Sequence, residues 1–372
     1  MKLKVGLIAH YGEDYYKSRR DFLNFLEEKG VESFSMVPKD DYEERINQLG
    51  NRVFYYAYSR NWRFVFSLFQ TYKSFVKILS SEKPDILFTY KFFPNVVGIL
   101  AASKSKVPMV VATIAGIGFL ENKDKNLLIK FVFGIYMKIL NKANIIVVQN
   151  KEDLAMLSNH LDRPKLILTH GSGINPKSLT SKSTEIANYC KINNLDPSQK
   201  YLVFCSRIVR GKGIIELINA FTNVEIDYNL IIAGWFDEKG LEEEVINLIK
   251  GKERIHYLGY QKDVSLLLDL SEVIILPSYY PEGVPRSLIE ALAKGKIIIT
   301  TDHKGCRETC NNKNGFLVEP KSVDSIEQAL LDLNKLDEDE KSKYKNESLN
   351  LFNTKFDRNI VFKTIWDGIN KD

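Results

Sequence analysis

The sequence predicts an α/β protein of two domains, each a doubly wound parallel sheet with helices on both faces. Three observations lead to this fold class. The chain has 372 residues, a length that suits two domains of ordinary size better than one. Short apolar segments alternate with amphipathic ones along residues 5–148 and again along residues 200–300, which is the pattern of repeated β-α units. A polar, irregular stretch at residues 171–200 separates the two series.

The first series contains six short apolar segments that we predict to be strands. They lie at residues 5–9, 33–37, 53–58, 86–89, 109–113 and 145–148. Several segments between them carry apolar residues at helical spacing. These predicted helices lie at residues 18–29, 62–79, 96–103 and 127–140. We expect the first domain to span residues 1–170.

The second series repeats the pattern with five predicted strands. They lie at residues 200–206, 228–233, 255–258, 273–276 and 297–300, with helices at 213–221, 241–250, 263–270 and 285–294. We expect the second domain to span residues 175–354, and a helix at about residues 355–372 to pack back on the first domain. Because open parallel sheets bind ligands at the carboxyl ends of their strands, we expect the two domains to face a central cleft.

The composition is that of a soluble globular protein, with 44% hydrophobic and 27% charged residues. No segment approaches the ~18–20 apolar residues that a membrane-spanning helix needs. The N-terminal apolar run is short and is typical of a buried strand rather than a signal peptide. The four cysteines form no C-x-x-C pair, so we expect neither a zinc site nor a disulfide framework, and a reducing, cytoplasmic compartment.

The net charge is distributed unevenly along the chain. Residues 1–170 hold 25 Lys and Arg against 17 Asp and Glu, a net charge of +8, and the remaining residues hold 27 against 30. A basic first half indicates either an anionic surface or acceptor, or simply solvated lysines. Because the basic residues are spread over the whole first domain, we expect no nucleic-acid binding.

Residues 206–217 form a candidate anion site. An apolar strand ends at Arg207, a basic turn follows, and Lys212 stands at the start of a predicted helix. A helix N-terminus with free amides and cationic side chains favours a diphosphate. The alternative is an ordinary basic turn on the surface.

Residues 276–293 also run from a strand through a loop into a helix. Glu282 lies in the loop and Gly283 frees its backbone, while Pro285 suits the first helical position. The amides of residues 284, 286 and 287, which are Val284, Arg286 and Ser287, then lie at the helix N-terminus. Glu290 lies roughly 7–8 Å along the axis, so one carboxylate is placed to address a sugar and the other a ribose. Both carboxylates could instead be solvated surface acids.

Together these motifs resemble the retaining glycosyltransferases of family four, which have the GT-B fold. The resemblance is carried by Arg207 with Lys212 as R-x4-K, and by Glu282 with Glu290 as E-x7-E. It covers nearly the whole chain and is strongest over residues 200–320. The stretch 301–308, Thr-Asp-His-Lys-Gly-Cys-Arg-Glu, is similar to the branch that extends lipid-linked oligosaccharides. That branch includes transferases that add N-acetylgalactosamine to an undecaprenyl-diphosphate sugar.

The resemblance implies a role for each matching residue. Arg207 and Lys212 would neutralise the donor diphosphate, Glu282 would bind the sugar hydroxyls, and Glu290 would bind the ribose. The implied donor contacts are Gly283, Val284, Arg286 and Ser287, with Gly259, Tyr260 and Val264 toward the base and Gly12 toward the acceptor and the diphosphate. The donor would be a UDP-hexose or UDP-N-acetylhexosamine, with no other cofactor and no metal. The one D-x-D, Asp337-Glu-Asp339, lies in a charged segment far from any predicted strand end.

Two positions depart from the family pattern. Ala115 stands where many members place a His or Glu in the first-domain loop, so the usual contact to the donor sugar is absent or comes from another residue. His10 and His170 are candidates, although a histidine near a strand end is more often structural. Pro285 stands where relatives have a glycine, and proline has no amide hydrogen to donate.

The acceptor implied by the resemblance is a lipid-diphosphate-linked or polysaccharide chain. Residues 60–77 and 127–142 are rich in aromatic and basic residues, which is typical of helices in a membrane interface, although core helices with basic ends would look the same. We expect a cytoplasmic enzyme in peripheral contact with the anionic inner face of the membrane.

Two other functions share parts of this pattern. A nucleotide-sugar epimerase of the same two-domain fold would need acid-base carboxylates and histidines, and the chain has five histidines. A non-enzymatic two-domain binding protein would normally be exported, and we expect no signal peptide here.

Overall fold

A computed structural model of the protein describes residues 2–57, 64–118, 120 and 127–370. The chain forms two compact units. One comprises Met1–Thr169 with Phe362–Asp372, and the other comprises His170–Val361. Each has its own hydrophobic core, built mainly from its strands and the helices that cover them.

The first unit is built on a seven-stranded parallel sheet in the order β3-β2-β1-β4-β5-β6-β7. Its strands are β1 (Lys4–Ile8), β2 (Glu32–Pro38), β3 (Val53–Tyr56), β4 (Ile86–Tyr90), β5 (Met109–Ile114), β6 (Ile145–Val148) and β7 (Lys165–Leu168). The strands between the edges are mostly buried apolar residues because helices cover parallel sheets on both faces. Every residue of β4 and β6, for example, is buried.

The described helices of this unit follow the strands in alternation. They are α1 (Gly12–Asp14), α2 (Arg20–Glu28), α3 (Glu43–Asn47), α4 (Phe64–Glu82), α5 (Phe92–Ser105), α6 (Leu127–Leu140) and α7 (Lys151–Ser158). A π-helical turn, Tyr15–Arg19, joins α1 to α2. Residues 60–63 of the basic, aromatic segment 60–77, and residue 58 of the strand predicted at 53–58, lie outside the described residues.

The second unit contains a six-stranded parallel sheet in the order β10-β9-β8-β11-β12-β13. Its strands are β8 (Tyr201–Cys205), β9 (Asn229–Ala233), β10 (Ile255–Gly259), β11 (Val273–Leu276), β12 (Ile297–Thr301) and β13 (Gly315–Val318). The order reverses between β8 and β11, the two strands that precede the predicted anion site and the E-x7-E segment. Ligands of open α/β sheets bind at such a switch point.

Eight α-helices accompany this sheet among the described residues. They are α8 (Ser183–Ile192), α9 (Ile214–Asn223), α10 (Leu241–Ile249), α11 (Val264–Leu270), α12 (Arg286–Ala293), α13 (Val323–Lys335), α14 (Glu338–Leu351) and α15 (Arg358–Ile369). The chain returns to the first unit within α15, where the ring of Phe362 lies 5.2 Å from that of Phe22 in α2. Nowhere in the described part of the chain is a helix both long and apolar enough for a membrane crossing.

The predicted fold class, two doubly wound parallel-sheet domains, is confirmed. Several details differ from the sequence prediction. The edge strands β7 and β13 and the helices α3, α7, α13 and α14 were not predicted, and α8 lies within the stretch that looked irregular. Pro285 is not the first helical residue but the N-cap of α12, with φ −60° and ψ 125°, because its fixed φ suits either position while an extended ψ belongs to the cap.

Candidate active site

The carboxyl edge of the second sheet brings most of the sequence-predicted site residues into one row. Because the strand order is β10-β9-β8-β11-β12 along this edge, the chain segments that leave these strands are neighbours. Tyr260 follows β10, Arg207 follows β8 and Glu282 follows β11. Neighbouring strands lie about 4.8 Å apart, so the row from Tyr260 to Glu282 has the length of a small extended ligand.

The turn after β8 is held tightly against the segment after β11. Arg210–Lys212 forms a single 3-10 turn and Gly213 follows with φ +76°. A Cβ on Gly213 would lie 2.2 Å from the carbonyl oxygen of Pro277, so only glycine fits both the left-handed backbone and this approach. The amide of Tyr279 donates to the carbonyl of Gly211 over 2.8 Å. These contacts bring Lys212 to the start of the Glu282 loop.

The buried Lys212 forms an ion pair with the partly buried Glu282. The Lys212 ammonium bonds to Glu282 Oε1, and Lys212 is only 6% exposed. Ser278, fully buried, donates from Oγ to the same carboxylate oxygen over 3.0 Å and accepts from the amide of Tyr280 over 3.2 Å. The carboxylate is therefore fixed from two sides, and a buried lysine of this kind keeps a charged partner.

The ring of Tyr280 lies beneath two cations. Arg207 Cζ is 5.2 Å and Lys212 Nζ 5.7 Å from its centroid, within the range of cation–π attraction. Arg207 also donates from Nη1 to Asp237 Oδ2 over 2.7 Å. Burial opposes the cation, but the hydrogen bonds to Asp237 and Tyr280 raise the pKa of Arg207 above its usual value. Two positive charges are thus held side by side at the switch point.

Arg210, the third cation of this turn, points to a different set of partners. Its Nη1 donates to Glu244 Oε1 over 3.0 Å, and its amide donates to Glu238 Oε2 over 2.8 Å. Arg210 is therefore neutralised by acids of the α10 region, and the structure separates it from Arg207 and Lys212.

The first turn of α12 presents the amides that the sequence analysis expected. Arg286 and Ser287 are its first two residues after the Pro285 cap, and Val284 precedes the cap. Arg286 Nε donates to Glu290 Oε1 over 2.8 Å, one turn further along the helix. The side chain of Glu290 is 12% exposed, so this carboxylate is not the solvated surface acid of the alternative interpretation.

The stretch 301–308 covers the Glu282 loop from the β12 side. Gly305 has φ +77°, and a Cβ there would lie 1.8 Å from the carbonyl oxygen of Gly283. The hydroxyl of Thr301 donates to the carbonyl of Ser278. Burial raises the pKa of the Cys306 thiol to about 12, so Cys306 fills space here as a neutral side chain rather than acting as a nucleophile.

The end of β10 carries the residues predicted to lie toward a base. Gly259 has φ +65° and its carbonyl accepts from the amide of Gly234 over 2.8 Å. Tyr260 is 48% exposed and its ring meets that of Trp235 edge-on at 5.5 Å. Val264 is the first residue of α11. An exposed aromatic pair therefore stands two strands away from Arg207.

The predicted residues outside this row have other surroundings. The amide of Gly12 donates to Asp40 Oδ2 over 2.7 Å. The Asp40 side chain therefore occupies the space beside Gly12 that a Cβ would fill. His170 Nδ1 lies 3.1 Å from Glu308 Oε2 in the second unit. His10 and Ala115 belong to the first unit, in the loops after β1 and β5.

The charged side chains of the site are basic residues that are each paired with one carboxylate. In the described ranges, no three His, Cys, Asp or Glu side chains converge as ligands for a metal ion. The residues that sequence reasoning did not single out are Ser278, Tyr280 and Asp237. Asp237 could have been found from the strand order, since it follows β9 and β9 lies beside β8.

Comparisons with known proteins match both units. Residues 4–150 match the family described as Glycosyl transferase 4-like, and residues 185–348 match Glycosyl transferases group 1. The second match contains Arg207, Lys212, Glu282 and Glu290.

Curated relatives extend over most of the chain. The N,N'-diacetylbacillosaminyl-diphospho-undecaprenol alpha-1,3-N-acetylgalactosaminyltransferase of Campylobacter jejuni is 27% identical over 338 residues, 88% of each chain. The UDP-Gal:alpha-D-GlcNAc-diphosphoundecaprenol alpha-1,3-galactosyltransferase of Escherichia coli is 28% identical over 306 residues, 71% of each.

A solved structure shares the whole architecture. The crystal structure of Anabaena Alr3699/HepE in complex with UDP and glucose has a TM-score of 0.80 and 15% identity, and the match covers all of both chains. At this identity the match establishes the fold.

Proposed function

The chain belongs to the retaining glycosyltransferases of the GT-B fold, which use nucleotide-sugar donors, and we propose that its donor is a UDP-hexose or UDP-N-acetylhexosamine. The acceptor in this proposal is a lipid-diphosphate-linked or polysaccharide chain of a bacterial surface glycan. The family membership sets aside the epimerase and the non-enzymatic binding protein, which share the fold but not these family matches.

One observation carries the proposal, the ion pair of the buried Lys212 with Glu282 beside Arg207 at the switch point. It places two cations where a diphosphate can meet them and a carboxylate where it can accept from sugar hydroxyls. An ammonium has three donors, so Lys212 is able to keep Glu282 and bind a phosphate oxygen at the same time.

The order of side chains along the edge matches the order of groups in a UDP-sugar. The aromatic pair at the β10 end would stack on or flank the base, the cations after β8 would bind the diphosphate, and Glu282 after β11 would bind the sugar. From β10 to β8 is about 10 Å and from β8 to β11 about 5 Å. The longer distance suits the base, which is separated from its diphosphate by a ribose. The shorter distance suits the sugar, which is joined directly to the diphosphate.

The cations would act mainly on the transition state. As the glycosidic bond to the diphosphate breaks, negative charge grows on the leaving UDP, and fixed positive charges stabilise that charge most strongly in a site from which water is excluded. In front-face displacement the leaving phosphate oxygen accepts the proton of the attacking acceptor hydroxyl. The new bond then forms on the face from which UDP departs, and the anomeric configuration is retained.

The carboxylates would orient the donor. Glu282, held by Lys212 and Ser278, would accept hydrogen bonds from sugar hydroxyls, and Glu290, held by Arg286, would accept from the ribose. The α12 amides at Arg286 and Ser287 add donors for a phosphate or a hydroxyl. Pro285 supplies none, so the sugar's hydrogen-bond pattern differs at this point from relatives that have glycine.

Transfer in this proposal needs no metal, because Arg207 and Lys212 supply the charge that a divalent cation supplies elsewhere. Full turnover in the presence of EDTA is the expected result. Loss of turnover that Mg²⁺ or Mn²⁺ restores would contradict this part of the proposal.

The proposed lipid-linked acceptor places the enzyme at the membrane surface, and the exposed face of α6 supports this. Leu127, Phe131 and Ile135 recur every four residues and are 85%, 66% and 43% exposed. Lys130 and Lys138 are exposed along the adjacent row of the same helix. An apolar row flanked by lysines is suited to an interface with anionic lipid.

Flotation with liposomes tests this contact. Vesicles containing anionic lipid should carry the protein upward at low salt, and replacing Phe131 with Ser should release most of it. Ile192→Ser is a control at an exposed apolar residue of α8, outside both aromatic, basic segments. Equal flotation of Phe131→Ser and the unaltered protein would contradict the assignment to α6.

The donor class is tested with a panel of UDP-, GDP- and ADP-sugars. We expect a UDP-hexose or UDP-N-acetylhexosamine to raise the melting temperature and to be hydrolysed slowly, releasing UDP without acceptor. An epimerase would instead return an isomerised UDP-sugar, and a binding protein would release no UDP. Stabilisation by none of the panel would overturn the proposed donor.

A further inference from the structure

A second charged cluster lies in the first unit, where the neighbouring strands β1 and β4 end. Arg19 donates to both oxygens of Asp14, from Nη2 over 3.2 Å and from Nε over 3.3 Å. The ammonium of Lys91 lies 3.6 Å from Asp14 Oδ2. One carboxylate therefore faces two cations.

The charges of this cluster do not cancel. Burial opposes the charge on Asp14, but attraction to Arg19 and Lys91 lowers the pKa of its carboxyl to about 2. Arg19 is permanently charged and its two-point contact to Asp14 balances the single negative charge of that carboxylate. The positive charge of Lys91 is left in excess.

Lys91 is both fixed and accessible. Its backbone has φ +71°, a conformation that lysine adopts rarely. Its amide donates to the carbonyl of Thr113 over 3.1 Å and its carbonyl accepts from the amide of Asn95 over 3.0 Å. The side chain is 36% exposed, and Nζ lies 5.4 Å from the ring centroid of Tyr11. The Lys91 ammonium thus lies at the carboxyl edge of the first sheet, where open parallel sheets bind their ligands.

We propose that Lys91 binds a phosphate group of the acceptor's lipid-linked diphosphate at the carboxyl edge of the first sheet. This inference rests on the proposed function. A transfer between two diphosphate-bearing substrates needs cations for each of them. Arg207 and Lys212 are the pair proposed for the donor, and the excess charge at Lys91 suits the acceptor.

The test uses farnesyl diphosphate, a soluble lipid diphosphate without a sugar, titrated into the full-length protein in the presence of saturating UDP, which occupies the proposed donor site. Lys91→Gln should raise its dissociation constant roughly five- to tenfold, and Lys91→Arg, which keeps the charge, should restore most of the affinity. Lys104→Gln is the matched control, because this exposed lysine lies at the other end of α5, about 20 Å along the helix. UDP affinity should be the same in all four proteins.

Two further probes identify what Lys91 recognises. Farnesol, which lacks phosphate, should not distinguish Lys91→Gln from the unaltered protein. The affinity for inorganic pyrophosphate should be lower in Lys91→Gln than in the unaltered protein, as it is for farnesyl diphosphate. If the lipid also contributes to binding, pyrophosphate should bind every variant more weakly than farnesyl diphosphate does.

The inference is overturned by unchanged farnesyl diphosphate affinity in Lys91→Gln, or by no binding of farnesyl diphosphate to the unaltered protein. A selective loss of UDP affinity in Lys91→Gln would assign the residue to the donor and also overturn it. Failure of the proposed function is recognised separately, because then the unaltered protein binds no UDP. A melting temperature of Lys91→Gln within a few degrees of the unaltered protein shows that lost binding is not lost folding.

Discussion

The two domains are alike at the amino edges of their sheets and different at the carboxyl edges. At the amino edge, each places a carboxylate between two basic side chains. Glu82 lies between Lys4 and Arg52, which Glu32 also contacts, and Glu272 lies between Lys341 and Lys345. Both carboxylates lie just before a central strand and tie it to other elements of the domain, so this common arrangement serves the fold.

At the carboxyl edge the first domain pairs one carboxylate with two cations, whereas the second gives each cation its own acid. Arg207 has Asp237 and Lys212 has Glu282, and Arg286 has Glu290. A paired cation is held in place and its partner remains charged, which suits a site that must orient a donor. The two domains thus share the topology of their carboxyl edges and differ in how the charges there are paired, and this difference is the basis for proposing different ligands for the two edges.

The largest loss of turnover is expected from removing the buried cation Lys212. Lys212→Ala takes away the counter-ion of the partly buried Glu282 and the positive charge proposed to stabilise the leaving diphosphate, so we expect turnover to fall about a thousandfold. Glu282→Gln should also nearly abolish transfer. Lys294→Ala is the control, since Lys294 pairs with Asp269 at the far end of α12. Single-turnover kinetics showing less than a tenfold loss in Lys212→Ala would remove Lys212 from the site.

The next prediction separates two arginines that lie three residues apart. Arg207→Ala should lower kcat/KM about a hundredfold, because its guanidinium stands on the Tyr280 ring beside Lys212. Arg210→Ala should change kcat/KM less than about threefold, because its exposed ion pairs with Glu244 and Glu238 are worth little. Equal losses of kcat/KM in the two variants would contradict the assignment of Arg207 to the donor site and of Arg210 to surface ion pairs.

These residues also show what sequence can supply. The R-x4-K and E-x7-E spacings identified the four charged residues because each pair lies within one strand-loop-helix segment. Asp237 was missed because its contact with Arg207 crosses 30 residues and depends on β9 lying beside β8. The contact of His170 with Glu308 spans 138 residues and has no local signal at all.

The fold shows the same limit. The fully buried strands, such as β6 and β11, are continuous apolar runs and were predicted with nearly correct bounds. The strands β7 and β13 lie at sheet edges and are only partly buried, so their sequences carry a weaker apolar signal. The central strands were therefore predicted, and of the four edge strands β3 and β10 were predicted whereas β7 and β13 were not.

A third prediction concerns the amino edge, where the charges should affect stability and not transfer. Burial opposes the charge of Glu272, but hydrogen bonds from Lys345 and Tyr228 lower the pKa of its carboxyl to about 2. A lowered carboxyl pKa contributes stability that is present above the unfolded value near 4.5 and is lost as the pH falls toward 2.

Glu272→Gln should therefore cost about 2 kcal/mol of unfolding free energy at pH 7 and progressively less below pH 4. Urea unfolding at both pH values measures this. Glu338→Gln, at an acid that is 77% exposed and also contacts Lys341, should cost less than about 0.5 kcal/mol. A cost that stays constant with pH would show that the pKa of Glu272 is not lowered.

The smallest expected effect distinguishes the two carboxylates of the donor site. Glu290→Gln should raise KM for the UDP-sugar about tenfold and change kcat little, because ribose binding is the same in the ground and transition states. Glu327→Gln is the control, because the Glu327 carboxylate accepts a hydrogen bond from Asn223 at the exposed surface, away from the site. A fall in kcat with unchanged KM would move Glu290 from binding to the chemical step.

The most direct test of the central claim is a calorimetric titration of UDP into the unaltered protein, Lys212→Ala and Lys91→Gln. UDP carries the diphosphate that the second domain is proposed to bind, and no acceptor is present. We expect Lys212→Ala to weaken UDP binding roughly thirtyfold, as loss of a buried charge-assisted contact does, and Lys91→Gln to leave it unchanged. UDP affinity that survives in Lys212→Ala, or disappears in Lys91→Gln, would contradict the assignment of the donor to the second domain.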